Sequence, residues 1–269
     1  MTTKSMAKLP AQVRTSVLNI GHAWPRDDLP PRLKALLDPQ SSTPLIEINE
    51  PTNPILAIEY PAAGELRMRK VTYRSRVTPT GKYPSWKMKR MLQFETPPES
   101  DAMCTVDANA LAKALGEQPA RITYLMDGEL HLHYPDLEVD WGTARELWEV
   151  KTTTEASDPA VIRRTELMTE SLVIFGYGYR LVTDSQLKSG YRLKNSRTLL
   201  RHGRRSISPV ERERLRRLLE ETRGITWGAV LEGVLGDWGR AHACRLVLEG
   251  FLRFDLDKPL LPETLLQIA

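Results

Sequence analysis

Residues 131–156 read HLHYPDLEVDWGTARELWEVKTTTEA, and this is the most informative stretch of the chain. Apolar and polar residues alternate in both halves of it, which predicts two neighbouring strands, the second over Glu146–Val150. Side chains two residues apart on a strand point to the same face, so Glu149 and Lys151 share one. A tight connection between the strands would bring Asp136, which ends the preceding segment, alongside that face.

The segments on either side extend these strands into a mixed sheet flanked by helices. Asp-Gly between two apolar runs is a hairpin signal, and a capping residue before proline marks a helix start. The order of helix, three strands, helix and strand is typical of an α/β fold. The predicted elements are a helix over Glu99–Leu115, strands over Ile122–Met126 and Glu129–Tyr134 joined at Asp127-Gly128, a helix over Pro159–Phe175 and a strand over Tyr179–Thr183.

The C-terminal residues have a pattern of their own. Ser208-Pro209-Val210-Glu211 reads as a capping box that starts a helix ending near Thr222. Three helices followed by a two-stranded ribbon is the pattern of a winged helix. The remaining predicted elements of this tail are helices over Thr226–Leu235 and Trp238–Glu249 and strands over Phe251–Leu256 and Thr264–Ile268.

Four regions are therefore predicted. Residues 1–65 form a proline-rich N-terminal extension, with a turn of helix at Arg32–Leu37 and short strands at Leu45–Ile48 and Ile55–Tyr60. Residues 66–187 form the α/β domain, 188–207 a basic connector, and 208–269 the winged-helix-like domain.

Composition excludes several classes of protein. The 269 residues are 41% hydrophobic and 27% charged, which is ordinary for a globular chain. No apolar run is long enough to span a membrane, and the first residues lack the apolar core of a secretory signal. Two distant cysteines, Cys104 and Cys244, exclude a disulfide scaffold and a cysteine-built zinc site, and suit a reducing, cytoplasmic location.

The net charge of +4 is modest, but the basic residues are clustered. Residues 67–90 contain nine lysines and arginines and no acid, and residues 188–217 contain eleven basic residues and only two acids. Such blocks can neutralise phosphates, and the aromatic residues between them can stack on bases. The alternative is a solvated basic surface. The candidate nucleic-acid-binding residues are Arg67, Arg69, Lys70, Arg74, Arg76, Lys82, Lys87, Lys89, Arg90, Arg201, Arg204 and Arg205.

Asp136, Glu149 and Lys151 together suggest phosphate chemistry. Two converging carboxylates suit a hard cation such as Mg²⁺. A neighbouring lysine can orient or deprotonate a water, or stabilise the charge that develops on a phosphate. By spacing alone the pattern is weak, and a solvated strand end with an ion pair is the ordinary alternative.

The region from Arg69 to Asp184 resembles the TnsA-type endonucleases of heteromeric transposases, which are PD-(D/E)xK nucleases. The resemblance rests on the basic lead-in, the element Glu95-Thr96-Pro97-Pro98-Glu99, the pair Gln118-Pro119, and then Tyr134-Pro135-Asp136 and Trp148-Glu149-Val150-Lys151, in the family order. It covers somewhat under half of the chain, and the winged-helix-like tail adds to it. It implies a restriction-endonuclease-like fold.

The resemblance also implies the site and its chemistry. Asp136, Glu149 and the Val150 carbonyl would bind Mg²⁺, for which Mn²⁺ would substitute, and Glu99 would hold a second metal or a metal-bound water. Lys151 would act on the nucleophilic water, so Glu99, Asp136, Glu149 and Lys151 would be catalytic. Pro97 and Pro98 depart from the family pattern, which leaves Glu95 as the alternative to Glu99. Gln118 would maintain the geometry of the site.

The implied function is hydrolysis of phosphodiesters at double-stranded transposon ends, in the cytoplasm of a prokaryote and associated with the nucleoid. The implied partners are a DDE transposase subunit and an AAA+ ATPase regulator, without a membrane. Two alternatives stay open: a stand-alone defence or repair nuclease, and a non-catalytic DNA-binding regulatory subunit. His131 and His133 are expected on the exposed face of a hairpin strand, and the tail could bind either DNA or protein.

Overall fold

The computed structural model describes residues 53–69 and 80–269. The elements predicted at Arg32–Leu37 and Leu45–Ile48 lie outside these residues, as do Lys70, Arg74 and Arg76. The described chain is a mixed α/β protein in which helices pack against several small antiparallel and mixed sheets. None of its helices is long and apolar enough to cross a membrane.

A four-stranded mixed sheet lies at the centre of the first part of the chain. Its strand order is β4-β7-β8-β9, with β4, β7 and β8 antiparallel and β9 parallel to β8. The parallel step needs a crossover, and the helix between β8 and β9 supplies it. The strands are β4 (Ala114–Glu117), β7 (Leu137–Asp140), β8 (Arg145–Lys151) and β9 (Tyr177–Thr183).

A second sheet is built on the predicted hairpin. Asp127 and Gly128 have φ of 55° and 79°, the left-handed conformations of a two-residue turn that matches the twist of its strands. The sheet has the order β1-β5-β6 and is antiparallel throughout. Its strands are β1 (Ile55–Glu59), β5 (Arg121–Met126) and β6 (Glu129–His133), and a separate ribbon pairs β2 (Gly81–Pro84) with β3 (Met91–Phe94).

The first helix is shorter than predicted. α1 spans Pro97–Ala108, with Thr96 as its N-cap, and ends where Asn109 turns to extended backbone. The sequence-based prediction of a helix to Leu115 is wrong, because Leu115 belongs to β4 and fills the core there, 2% exposed. Leu111, which the helical pattern placed on the apolar face, is 72% exposed.

The helical prediction after β8 is confirmed in outline. A four-residue helix, α2 (Thr153–Ala156), comes first, and Asp158 then caps α3 (Pro159–Ser171). A 3-10 turn over Leu172–Phe175 ends at Gly176, whose φ of 80° is easily adopted only by glycine. α3 packs over one face of the central sheet against the second sheet, in a core that includes Met168, Leu172 and Tyr179.

The predicted connector 188–207 contains an ordered helix. After α4 (Asp184–Lys188), α5 spans Arg192–His202 and packs between α1 and a helix of the C-terminal part. Leu199 and Leu200 on α5 are buried, 1% and 5% exposed, in a core shared with Met103 of α1. The apolar core is therefore continuous from the central sheet into the tail.

The tail holds three helices and three short strands. Ser208 caps its first helix as predicted, although Glu211 pairs with Arg214 and does not complete the capping box. The sheet order is β10-β12-β11, so one strand more is present than the predicted ribbon. The elements are α6 (Pro209–Thr222), β10 (Gly224–Thr226), α7 (Trp227–Leu231), α8 (Gly239–Leu248), β11 (Leu252–Arg253) and β12 (Leu265–Ile268).

Candidate active site

Asp136 lies immediately before β7, at the junction of the two sheets. Its backbone N–H donates to the Trp148 carbonyl at 2.9 Å, and its carbonyl accepts from the N–H of Gln118 at 3.0 Å. Its Oδ2 accepts from the N–H of Val150 at 2.8 Å. Backbone bonds on three sides fix this carboxylate, and the residue is only 7% exposed.

Glu149 and Lys151 share a face of β8, as the alternation of the strand requires. Lys151 Nζ lies 2.8 Å from Glu149 Oε1. Glu149 is 3% exposed, whereas the Lys151 side chain keeps 28% of its surface accessible. The lysine is therefore at the mouth of the site and the glutamate inside it.

Glu99 comes to the same region from the first turn of α1. Its Oε2 accepts from the N–H of Glu95 at 2.8 Å, and its Oε1 accepts from the Thr96 hydroxyl at 2.9 Å. Both oxygens thus serve the helix cap, which explains how two prolines can start the helix here without loss of its N-terminal bonds. Glu95, the alternative residue, pairs with Arg69 at 3.1 Å.

The charges of these residues act on one another. Burial raises the pKa of Asp136 well above its ordinary value, and Glu149 and Glu99 raise it further against the opposing effects of Lys151 and the Val150 N–H. Burial also raises the pKa of Glu99. Burial would lower the pKa of Lys151, but Glu149 and Asp136 outweigh it and raise that pKa. The neutral forms of Asp136 and Glu99 are therefore favoured more than those of ordinary carboxyl groups, and the charged form of Lys151 is stabilised.

Three residues outside the predicted catalytic set complete the environment of Glu149. Arg164 on α3 places a guanidinium nitrogen 3.1 Å from Glu149 Oε1. His133 Nε2 lies 3.6 Å from Glu149 Oε2 and 3.0 Å from the hydroxyl of Tyr179. Burial lowers the pKa of His133 to about 4, so this imidazole is neutral at ordinary pH.

The prediction that the two histidines line the exposed face of the hairpin strand is wrong for His133. His133 is 6% exposed, and His131 stacks on Tyr124 at 5.3 Å between ring centroids. The leucines that alternate with them, Leu130 and Leu132, are the exposed ones at 41% and 56%. The spacing of two histidines on one strand was visible in the sequence, but Arg164 and Tyr179 carried no comparable signal.

Gln118 links the site to the basic residues around it. Its amide nitrogen lies 3.5 Å from Asp136 Oδ1, and its amide oxygen accepts from Arg69 Nε at 3.0 Å. Next to it, the fully buried carboxylate of Glu117 accepts hydrogen bonds from two arginines. Arg67 Nε donates at 3.1 Å, and Arg90 Nη1 and Nη2 donate at 2.8 Å and 2.7 Å. These arginines bind acids of the protein itself.

The other predicted DNA-binding residues are distributed over the surface. Lys82 is exposed on β2, while Lys87 and Lys89 lie over the Trp86 ring. Arg204 donates to the Pro84 carbonyl at 2.7 Å, and Arg205 covers the Trp238 ring at 3.5 Å from its centroid. Arg201 lines a surface cavity on α5.

The donor set of the site fits a hard cation. Asp136 and Glu149 supply buried carboxylate oxygens next to the backbone of Val150, and oxygen donors are those that Mg²⁺ prefers. Among the residues that the structure describes, the hydrogen bond to Asp136 Oδ1 is the long one from Gln118. Over residues 53–69 and 80–269, no group of three or more histidine, cysteine, aspartate or glutamate side chains is arranged to hold a metal ion, so the set consists of two carboxylates.

A comparison of the sequence with models of known protein families finds no matching family. A comparison with curated proteins finds no match either.

Proposed function

We propose that the chain is a metal-dependent DNA endonuclease that acts as the TnsA-type subunit of a heteromeric transposase. The observation that carries this proposal is the buried convergence of Asp136, Glu149 and Lys151 at the junction of two sheets. Burial and the neighbouring carboxylates raise the pKa of Asp136, and buried acids with a perturbed pKa are often found at functional sites.

Two features of the fold support the finer assignment. The order α1, β4, β7, β8, α3, β9, with the hairpin inserted after β4, agrees with the restriction-endonuclease-like fold that the resemblance implies. In the tail, the order α6, β10, α7, α8, β11, β12 with β12 between the other strands suits a winged helix. Both agree with the sequence resemblance, which also suggests the DDE transposase subunit and the AAA+ ATPase as partners.

The residues of the chain have separate tasks in this reaction. A bound Mg²⁺ would polarise the phosphoryl oxygen and acidify a bound water. Asp136 and Glu149 would hold the cation, and the backbone bonds of Asp136 orient its carboxylate in advance. Because the carboxylates keep Lys151 protonated, its ammonium group is suited to stabilise charge on the phosphate more than to take up a proton.

Arg164 and His133 position Glu149. Glu149 Oε1 is shared between Lys151 and Arg164, whose charges neutralise this carboxylate. Neutral His133, fixed by Tyr179, lies beside the other oxygen. Glu99, whose two oxygens serve the helix cap, contributes negative charge to the site.

The first test is calorimetric titration of Mn²⁺ into the wild type, Asp136→Asn and Asp140→Asn. Asp140 is a matched control, since it lies on β7 away from the site and accepts from the Gly142 N–H. The titrations of the wild type and of Asp140→Asn should both show a heat of Mn²⁺ binding, and the titration of Asp136→Asn should show none. Identical titrations of all three would contradict a metal site at Asp136.

The second test is cleavage of transposon-end DNA in the presence of the partner subunits. Lys151→Ala should abolish cutting and leave DNA binding nearly unchanged, while Lys113→Ala, an exposed lysine beside β4, should cut as the wild type does. Cutting by the purified chain without partners would favour a stand-alone nuclease.

A non-catalytic subunit is a second candidate, because Glu149 and Glu99 already have partners for their oxygens within the protein. It requires that Asp136→Asn alter neither metal binding nor cutting by the assembled system.

A further inference from the structure

A row of basic side chains lies on the outer face of α4 and α5. Lys188, Lys194, Arg197 and Arg201 are all exposed, and with Gly190 and His202 they line one cavity of about 430 Å³. Lys194, Arg197 and Arg201 recur at three- and four-residue spacing, so they follow one face of α5. We call this surface the α5 groove.

The helix that carries Lys188 of the α5 groove starts beside the end of β8. Thr183, the residue before α4, is paired with Lys151 across β8 and β9. Asp184, which opens α4, accepts from the N–H of Thr153 at 2.8 Å, two residues beyond Lys151. The chain therefore leads from the edge of the sheet at which Lys151 lies, through α4, to the groove.

A second contact ties the groove to the site from the other side. Arg197 Nη2 lies 2.6 Å from Asp101 Oδ1, and Asp101 follows Glu99 by two residues on α1. This ion pair holds α5 against the helix that carries Glu99.

The charges of the groove are available to a ligand, in contrast to those of α6. Arg216 and Arg217 on α6 are each within 2.8 Å of a glutamate of the same helix. In the described part of the chain, Lys194 contacts only the Tyr191 ring and Arg201 has no acidic partner. Lys188 pairs with Asp184 at 3.2 Å, but its side chain is 60% exposed, so this ion pair is weak.

The spacing suits the backbone of a nucleic acid. Lys194 and Arg201 are seven residues apart, about 10.5 Å along a helix axis. Phosphates of one DNA strand follow each other at roughly 3.4 Å along the duplex axis, so a row of this length can reach more than one phosphate. His202 at the end of the row has its pKa lowered by burial and then by Arg240 and Arg201, which agrees with a concentration of positive charge there.

We infer that the α5 groove binds the phosphate backbone of duplex DNA that runs on from the active site, through Lys188, Lys194 and Arg201. This rests on the proposed function, since it takes the ligand to be DNA. Arg197 positions α5 through Asp101, while Arg204 and Arg205 of the same basic segment contact the protein itself.

The test is binding of a fluorescent DNA duplex of arbitrary sequence to the full chain, in metal-free buffer, at salt concentrations from about 50 to 200 mM. The groove variant is Lys188→Gln/Lys194→Gln/Arg201→Gln. The charge-matched control is Arg216→Gln/Arg217→Gln/Lys258→Gln, whose residues all pair with acids on the exposed surface. Inorganic phosphate and polyglutamate serve as competitors.

Loss of three phosphate contacts should reduce the slope of log K against log salt by about 2.7, at about 0.9 per contact. Over a fourfold change in salt this difference amounts to roughly 40-fold in affinity. The control should keep the slope of the wild type, and competition by inorganic phosphate should be weak because a single anion cannot span the row.

Equal slopes for the groove variant and the control would overturn the inference, as would a wild type that does not bind duplex DNA. Polyglutamate that competes as well as DNA would assign the groove to an acidic protein partner and overturn it also. Because the assay needs no cleavage, a lowered slope together with inactive enzyme would refute the nuclease proposal alone.

Discussion

Asp107 allows a direct test of what stabilises the basic turn between β2 and β3. It lies near the end of α1, is 0% exposed, and accepts four hydrogen bonds. The donors are the Tyr83 hydroxyl at 3.0 Å, the Ser85 hydroxyl at 2.8 Å, and the N–H groups of Trp86 at 2.7 Å and Lys87 at 2.9 Å. One carboxylate thus organises the turn between β2 and β3. The perturbation is Asp107→Ala, with Asp107→Asn as the milder change.

The cost follows from what the donors lose. Tyr83 and Ser85 are buried, so their hydroxyls cannot reach water when the carboxylate is removed. An unsatisfied buried donor costs about 1–3 kcal/mol, and the two together about 2–6 kcal/mol. The N–H groups of Trp86 and Lys87 belong to half-buried residues and recover part of their bonding from water. We therefore expect Asp107→Ala to lower the free energy of unfolding by about 4 kcal/mol.

Asp107→Asn should cost about half as much, roughly 2 kcal/mol, because the amide keeps one oxygen but turns an NH₂ group toward two donors. The assay is urea denaturation followed by tryptophan fluorescence. Asp101→Ala on the same helix is the control, since its ion pair with exposed Arg197 is worth at most about 1 kcal/mol. A loss in Asp107→Ala no larger than that in the control would refute the reasoning.

Three further changes test the site and the fold. Burial and acidic neighbours raise the pKa of Asp136, so the neutral form of this carboxyl is favoured in the native state. The unfolded chain ionises Asp136 first, and stability is therefore lost as pH rises from the ordinary aspartate pKa of about 4 to the raised pKa of the folded protein. In metal-free buffer, Asp136→Asn should be more stable than the wild type at neutral pH in urea, and a difference that persists below about pH 4 would contradict this. Gly224→Ala should lower the free energy of unfolding, measured by heat or urea, by at least about 2 kcal/mol, because φ of Gly224 is 138° and a Cβ would lie 2.5 Å from a carbonyl oxygen of β12. The control Gly233→Ala should lower it less, because Gly233 has a φ of 90° but open space around it. Arg90→Met should cost about 3 kcal/mol, because it leaves buried Glu117 with a single arginine, and wild-type stability would show that the pair is dispensable.

Local chemistry made much of the fold predictable. The Asp127-Gly128 turn, the proline-marked start of α3 and the Ser208 cap all depend on a few adjacent residues, and all lie where the sequence predicts. The common face of Glu149 and Lys151 also follows from the period of a strand alone.

Features that depend on distant partners were not predictable. The stretch ending at Leu115 has helical spacing, but pairing of β4 with β7 decided its structure. The alternation in β6 predicts that His131 and His133 share a face. It does not predict which face of the strand is buried, because the leucines on one face and the histidines on the other can both pack in a core. That choice follows from Tyr179 and Glu149, which lie on strands far along the chain.

The position of α5 between α1 and α8 has a consequence for work with fragments of the chain. In the intact chain, α5 joins α8 to α1 through one continuous set of packed apolar side chains. A chain cut within residues 188–207 would expose Leu199 and Leu200 to water, so isolated halves would report on lost packing as well as on lost function.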